Sequence, residues 1–246
     1  MKIKFLGTGE AFDENNPNNS CLVETKKTKL LLDCGGTVPF ELWKYNNDQF
    51  FLDEIFISHG HADHYFGLPS LFIRMWEEKR TKPLTIICQK GLEKDIKKLT
   101  ELGYKGISLL FKFELNFIEV NPGQKIKLDD LYLSFAETKH SKKTLAVKIS
   151  DGKRSACYGG DGMFTKQAEK LYKDSDLVIH EAYLYDKTAW GHACMVDLIK
   201  MAERNKIKCL AMTHINRFLR KKLNKKKIFS RKVKIIIPKA GDDYFL

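Results

Sequence analysis

Two periodicities alternate along the chain. "IKFLGTG", "SCLVET" and "TKLLLDCGG" are short apolar runs closed by glycine or polar residues, and they predict three strands in a β meander with the Asn/Pro stretch "DENNPNNS" as the first loop. "LDEIFIS" predicts a strand ending at Ser58, and "HYFGLPSLFIRMWEEKR" carries apolar residues at helical spacing, with Pro69 in a first turn or kink. A strand at "LTIIC" and a helix at "KGLEKDIKKLTELG" follow, and then the alternating stretches "FELNFIEV", "QKIKL", "LYLSFAET" and "TLAVKIS". In the second half "RSACYGGDG", "DLVIHEAY" and "KCLAMTH" each run from apolar residues into a polar residue or glycine, and the helical pattern "HACMVDLIKMAERNK" separates the last two. Strands mixed with helices in both halves predict an α/β chain with two sheets packed together and flanked by helices.

Composition narrows this picture. The 246 residues contain no Pro/Gly/Ser-rich tract, low-complexity run or short-period repeat, so a single domain over residues 1–246 is expected. The 43 Lys plus Arg against 31 Asp plus Glu leave a formal charge of +12, which favours an anionic partner such as nucleic acid or a phosphorylated metabolite. The apolar run of the N-terminus is too short for a secretory signal, and no segment has the length of a membrane span; a cytoplasmic protein without a membrane partner is expected. Six scattered cysteines form no CxxC pair, which argues for reduced core thiols over disulfides or a cysteine zinc knuckle.

The chemistry collects at the predicted strand ends. "SHGHADH" places His59, His61, Asp63 and His64 on the loop after the strand that ends at Ser58. A regular strand would splay these side chains, whereas a loop can converge them, and neutral imidazole is the commonest zinc ligand. Further donors close later strands: His140 in "AETKHS", Asp161 in "YGGDG" and His214 in "AMTH". A carboxylate such as Asp161 can bridge two ions and screen their repulsion. Six of the seven histidines fall on this set or beside it, and His180 is left as a structural residue. "FLGTG" by itself reads as a tight turn, and Trp190 lines the pocket or anchors its loop.

These residues carry a resemblance. "SHGHADH" resembles the HxHxDH signature of the metallo-β-lactamase superfamily, and His140, Asp161 and His214 follow in the order of that family's later ligands. The resemblance spans nearly the whole chain. It implies a four-layer αββα sandwich and two divalent metal ions, Zn²⁺ first and Mn²⁺ as the alternative. The implied ligands are His59, His61 and His140 on one ion, Asp63, His64 and His214 on the other, and Asp161 between them. Within the superfamily, "FLGTGEAF" with Asn19 and Ser20, "IHEAY", His192 and "THINR" resemble the tRNA 3′-processing endonuclease branch, ribonuclease Z. That branch inserts a long tRNA-binding arm between the counterparts of His140 and Asp161, yet only twenty residues separate them here. No arm fits there.

The resemblance implies hydrolysis of a phosphodiester, RNA among them, by a metal-activated water. Asp63 would orient or deprotonate the water, His192 would protonate the leaving oxygen, and Glu181 would orient His192. A homodimer is an expectation from the same resemblance. The basic run "NRFLRKKLNKKKIFSRKVK" is a candidate phosphate track if it forms a helix beside the site, and otherwise a solvated face. Hydrolysis of carbon–oxygen esters or lactones is the alternative activity. A non-catalytic nucleic-acid-binding protein is the second alternative, opposed by the retention of every ligand. A diiron redox centre of the same superfamily would carry an acidic residue where His61 stands.

Overall fold

In the computed structural model, which describes residues 1–187, 189, 191–223 and 228–246, the predicted meander opens the first of two sheets. Strands β1 (Lys2–Gly7), β2 (Ser20–Glu24) and β3 (Lys29–Leu32) pair antiparallel. Beyond β3 the pairing turns parallel through β4 (Glu54–Ile57), β5 (Leu84–Gln89) and β6 (Leu115–Val120). Parallel neighbours need long crossovers. Helix α1 (Val38–Tyr45) joins β3 to β4, the short α2 (Ala62–Tyr65) and α3 (Leu68–Glu77) join β4 to β5, and α4 (Leu92–Gly103) joins β5 to β6. Pro69 sits in the first turn of α3, where its missing N–H costs nothing.

The second sheet repeats this plan. Strands β7 (Lys125–Leu128), β8 (Leu131–Lys139), β9 (Thr144–Ser150) and β10 (Ser155–Tyr158) form an antiparallel meander, with β11 (Met163–Phe164) on the outer edge of β8. Past β10 the order becomes parallel through β12 (Leu177–Glu181), β13 (Cys209–Thr213) and β14 (Lys234–Ile236), with α5 (Lys166–Tyr172) and α6 (Met195–Arg204) as crossovers. A single helical turn, α7 (Arg217–Arg220), follows β13. The last strand, β15 (Asp243–Phe245), returns to pair with β1 in the first sheet.

Side-chain alternation explains the layering. In β4 the third residue, Phe56, faces inward and packs with Phe135 and Tyr158 of the opposite sheet, whereas Ile55 and Ile57 face outward beneath Leu68 and Phe72 of α3. The second sheet does the same, with Ile179 inward and Val178 outward under Ala168 of α5 and Leu198 of α6. The result is the expected αββα sandwich. Among the described residues, no helix is long and apolar enough to cross a membrane, and all six cysteines are buried and unpaired.

One core position works against stability. Glu54, the first residue of β4, is buried, and its Oε2 has no hydrogen-bond partner. Burial, helped by the charges of Asp53, Asp129 and Asp130 and opposed by Lys82, pushes its carboxyl up to about 7. Between the ordinary carboxylate value of about 4.3 and that raised value, the folded state holds a proton that the unfolded chain has released. Stability therefore falls as pH rises through this window. Glu54→Gln is expected to stabilise the fold by on the order of 2 kcal/mol at about pH 8 and to have little effect near pH 4. Thermal melting at the two pH values checks this; an equal shift at both would contradict it.

Candidate metal centre

Each predicted donor lies at a strand's C-terminal end or just past it, on one rim of the sandwich. His59 follows β4, His61 caps α2, and Asp63 and His64 ride on that single helical turn, so the cluster lies on a turn of helix where a plain loop was expected. His140 follows β8, Asp161 lies three residues beyond β10, and His214 follows β13. Asp161 is bracketed by Gly160 (φ +58) and Gly162 (φ +112), left-handed positions where a Cβ would also strike Ser58 and the backbone of Lys139. His214 itself adopts φ 49, an uncommon value for a non-glycine residue, and its amide donates to the Thr8 carbonyl at the end of β1. Thus the "GTG" turn, besides turning, holds the last donor in place.

Two groups of ligand atoms result. In the first, the imidazoles of His59, His61 and His140 converge, with Nδ1 of His61 3.0 Å from Nε2 of His59 and 3.1 Å from Nε2 of His140. In the second, Nε2 of His64 lies 3.2 Å from Asp63 Oδ2 and 3.3 Å from Asp161 Oδ2, and Nε2 of His214 lies 3.3 Å and 3.4 Å from the same two oxygens. Asp161 Oδ2 is also 4.0 Å from His59 Nε2, which puts this carboxylate between the groups. His64 Nε2 and Asp161 Oδ1 are buried and lack any hydrogen-bond partner. Buried polar atoms left unpaired are costly, and a divalent cation is the partner that would satisfy both a neutral imidazole and a carboxylate. The donor set therefore fits divalent metal ions. A third possible group, Asp161, Glu181, His192 and His214, shares two members with the second. It is a poorer cage, because Glu181 Oε1 accepts from the Gly162 and Ala193 amides and its Oε2 accepts from His192.

The electrostatics divide the two groups. Burial, with the charge of His64 beside it, pulls His59 well below the ordinary histidine value, and burial and His140 lower His61. Burial acts in the same direction on His64 and His214, but carboxylates outweigh it: Asp161, Asp63 and Asp33 raise His64 well above its usual value, and Asp161, Asp63 and Glu181 raise His214 to about 9. Asp63 and Asp161 are held well below the carboxylate range by those histidines, against the opposing effect of burial. His192 Nδ1 donates to Glu181 at 2.6 Å, and this partner raises its pKa against burial. Its ring packs on Tyr183 and faces the same cavity as His61, His140 and His214. His180, by contrast, is buried beneath Gly159, with its Nδ1 on the Glu181 carbonyl, and joins neither group.

Asp33, at the end of β3, was not singled out from the sequence. Its Oδ1 accepts from the Ser58 amide at 2.7 Å, and its Oδ2 accepts from Ser58 Oγ, His64 Nδ1 and Tyr158 OH at 2.7, 2.7 and 2.8 Å. Ser58 Oγ, having given its proton to Asp33, is left to accept from His59 Nδ1 at 3.0 Å. One buried carboxylate thus fixes His59 and His64 as Nδ1–H tautomers and turns both Nε2 atoms toward the donor groups. The only sequence signal was an aspartate closing the apolar run "KLLLD".

The cavity over the donors encloses about 620 Å³. One wall, Glu10, Ala11 and Phe12, comes from the loop after β1, and another includes Phe66 after α2; Phe12 and Phe66 are exposed. Among the described residues of the basic run, the helix is the single turn α7. Its first cations are paired with that N-terminal loop: Arg217 with Glu10, Arg220 with Asp13 at 3.6 Å, and Lys221 with Glu14 at 2.9 Å. Trp190 and residues 224–227 of the run lie outside the described residues.

The sequence profile of the anti-Pycsar protein Apyc1 family matches residues 1–234. The chain belongs to that family. A ribonuclease Z from Methanosarcina mazei is 24% identical over 271 aligned positions, covering 88% of this chain and 88% of its own. The crystal structure of the metallo-β-lactamase fold protein YhfI from Bacillus subtilis superposes with a TM-score of 0.83 at 23% identity, covering 99% of this chain and 98% of that one. Human tRNase Z, short form, gives a TM-score of 0.83 at 21% identity, covering 100% and 99%. This Apyc1-family chain therefore has the metallo-β-lactamase fold and resembles ribonuclease Z.

In this family member, Asp33→Asn keeps the shape at position 33 and tolerates its φ of 60, but replaces an acceptor by a donor. Affinity for Zn²⁺ is expected to fall about 10- to 100-fold while the circular dichroism spectrum stays native. Competition with a chromogenic chelator measures it, and an unchanged affinity would remove Asp33 from this role.

Proposed function

We propose that this chain is a metal-dependent phosphodiesterase of the ribonuclease Z type. The observation that carries the reading is the convergence of two histidine/aspartate donor groups on one cavity, with the carboxylate-backed His192 facing them. His59, His61 and His140 would hold one ion and Asp63, His64 and His214 the second, with Asp161 reaching both. Zn²⁺ is the assigned ion, from the nitrogen-rich donor set. Bound divalent ions supply the Lewis acidity and the lowered water pKa that phosphodiester hydrolysis needs near neutral pH.

The chain's own residues supply the rest. Asp63, kept ionised by His64 and His214, accepts a hydrogen bond from the attacking water. As the new bond to phosphorus forms and the ester bond breaks, His192 delivers its proton to the leaving oxygen. Glu181 favours the protonated form of His192 against burial and orients its ring. The relatives named ribonuclease Z support RNA as a substrate, and the absence of an arm between His140 and Asp161 supports phosphodiesters smaller than a folded tRNA. A second reading, hydrolysis of carbon–oxygen esters or lactones, draws on the apolar wall of Ala11, Phe12 and Phe66. A homodimer in the cytoplasm completes the proposal; light scattering tests the first part and fractionation the second.

Protein loaded with Zn²⁺ or Mn²⁺, with metal content determined on the same sample, is expected to hydrolyse bis(p-nitrophenyl) phosphate, and Asp63→Ala to lose the rate. No rate from protein carrying two ions per chain would overturn the phosphodiesterase reading and favour the ester one. The His192 proton gives a separate expectation. Because Glu181 raises the His192 pKa, the acid form persists to higher pH, and activity is lost as pH rises through that raised value. Glu181→Gln should move the alkaline limb of kcat/KM toward lower pH. His192→Ala should cost about 10²- to 10⁴-fold with an alkoxide leaving group and much less with p-nitrophenolate, which needs no proton. Equal losses with both leaving groups would argue against His192 as the acid.

A further inference from the structure

The imidazole of His192 is held by one side-chain hydrogen bond. Its Nδ1 donates to Glu181 Oε2 at 2.6 Å, its backbone amide donates to the Ala189 carbonyl at 2.8 Å, and the ring stays partly exposed at the cavity. A single bond at Nδ1 fixes one point of the ring and leaves its plane free to tilt. On the proposed assignment His192 is no ligand, so a bound ion would not restrain it either.

Tyr183 supplies the plane. Its ring lies against that of His192 with the centroids 4.6 Å apart and the planes 25° from parallel, a stacked geometry, whereas His140 meets the same imidazole edge-on at 4.8 Å and 70°. The backbone of Tyr183, two residues beyond β12, is pinned on both sides: its amide donates to the Ala193 carbonyl at 3.0 Å, and its carbonyl accepts from the Asn216 amide at 3.1 Å. Ala193 follows His192 and Asn216 lies two residues past His214, so the phenol ring is registered to the histidine acid and to the last donor at once. Among the described residues its hydroxyl makes no hydrogen bond, so the aromatic face is what this position contributes. A proton is passed well only along the line from Nε2 to the leaving oxygen, and a tilt of the ring carries Nε2 off that line.

Resting on the phosphodiesterase reading, we propose that Tyr183 is the positioning residue of His192: its ring fixes the imidazole plane so that Nε2 meets the leaving oxygen. The ester bond to phosphorus breaks, the Nε2 proton goes to that oxygen, and the imidazole is left neutral on Glu181. Tyr183 acts in this step through His192, by the face of its ring. Esters that leave as alkoxides therefore depend on Tyr183, and esters that leave as stable phenolates do not.

The test compares two esters of similar size on metal-loaded protein, bis(p-nitrophenyl) phosphate, whose phenolate leaves without a proton, and bis(p-nitrobenzyl) phosphate, whose alkoxide needs one. Tyr183→Leu is expected to lose about tenfold in kcat/KM on the benzyl ester relative to the phenyl ester, and Tyr183→Phe, which keeps the aromatic face, to hold the wild-type ratio. In a His192→Ala background Tyr183→Leu should change the ratio no further, because the ring then has nothing to position. The readout is a ratio within each protein, so a general loss of activity does not imitate the result. Equal losses on both esters, a phenylalanine variant that behaves like the leucine one, a further change of ratio in the His192→Ala background, or a wild type active on the phenyl ester alone would each overturn the proposal. If the wild type turned over neither ester, the phosphodiesterase reading itself would fail, and nuclear magnetic resonance of the His192 ring would still decide the contact. Its ring protons are expected to carry an upfield ring-current shift that Tyr183→Phe keeps and Tyr183→Leu loses; a signal that Tyr183→Leu leaves in place would refute the positioning role.

Discussion

The Asp33 carboxylate is the constraint on which the rest of the centre depends. A fully buried anion is tolerated only where donors saturate it, and Asp33 receives one backbone and three side-chain protons from Ser58, His64 and Tyr158. Those protons come from three different elements, the end of β4, α2 and β10, so the hydrogen bonds hold the two sheets' rims in register as well as the histidines. Asn19 extends the network by donating to Tyr158 OH at 3.1 Å. Without such a hub the histidine rings could rotate and present either nitrogen. With it, His59 and His64 each have one nitrogen spoken for and one directed at the site.

The two sheets contribute through the same device. Each begins as an antiparallel meander and ends as parallel strands, and the C-terminal ends of the parallel strands open on a common rim. Loops leaving such ends are natural places for ligands, because the strand fixes where the loop starts and the crossover helix fixes where it goes. His59, Glu181 and His214 use parallel strands in this way, whereas His140 sits on a hairpin tip and needs contacts from neighbouring loops to stay in place. The positive φ values at Asp33 and His214 show the backbone bending out of strand geometry to aim these side chains.

How far the chain could be read without coordinates follows from the range of each signal. The donors His59, His61, Asp63 and His64 were legible because their spacing is local, and His140, Asp161 and His214 because each closes an apolar run. The layers were legible from the same runs. Asp33 was not, because an aspartate after a strand usually means a turn, and its partners lie 25, 31 and 125 residues away. The pairing of Arg217 and Lys221 with Glu10 and Glu14 spans 207 residues in each case, so the basic run looked like free charge. Strand β15 has three residues and no distinguishing pattern; only the exposed edge of β1 calls for it.

Charge balance ties these layers together. Four carboxylates, Asp33, Asp63, Asp161 and Glu181, are buried or nearly so around the donor groups, and on the proposed assignment two divalent ions bring four positive charges to meet them. Without ions the same carboxylates draw protons to His64 and His214, whose pKa values are raised for that reason. An imidazolium cannot ligate a cation, so ion and proton compete for Nε2 of both residues. At His59 and His61 this competition is weaker, because burial and neighbouring histidines lower both. Acid should thus compete for His64 and His214 before His59 and His61. The asymmetry is set by where the carboxylates lie, since Asp63 and Asp161 belong to the second group while the first is made of histidine alone.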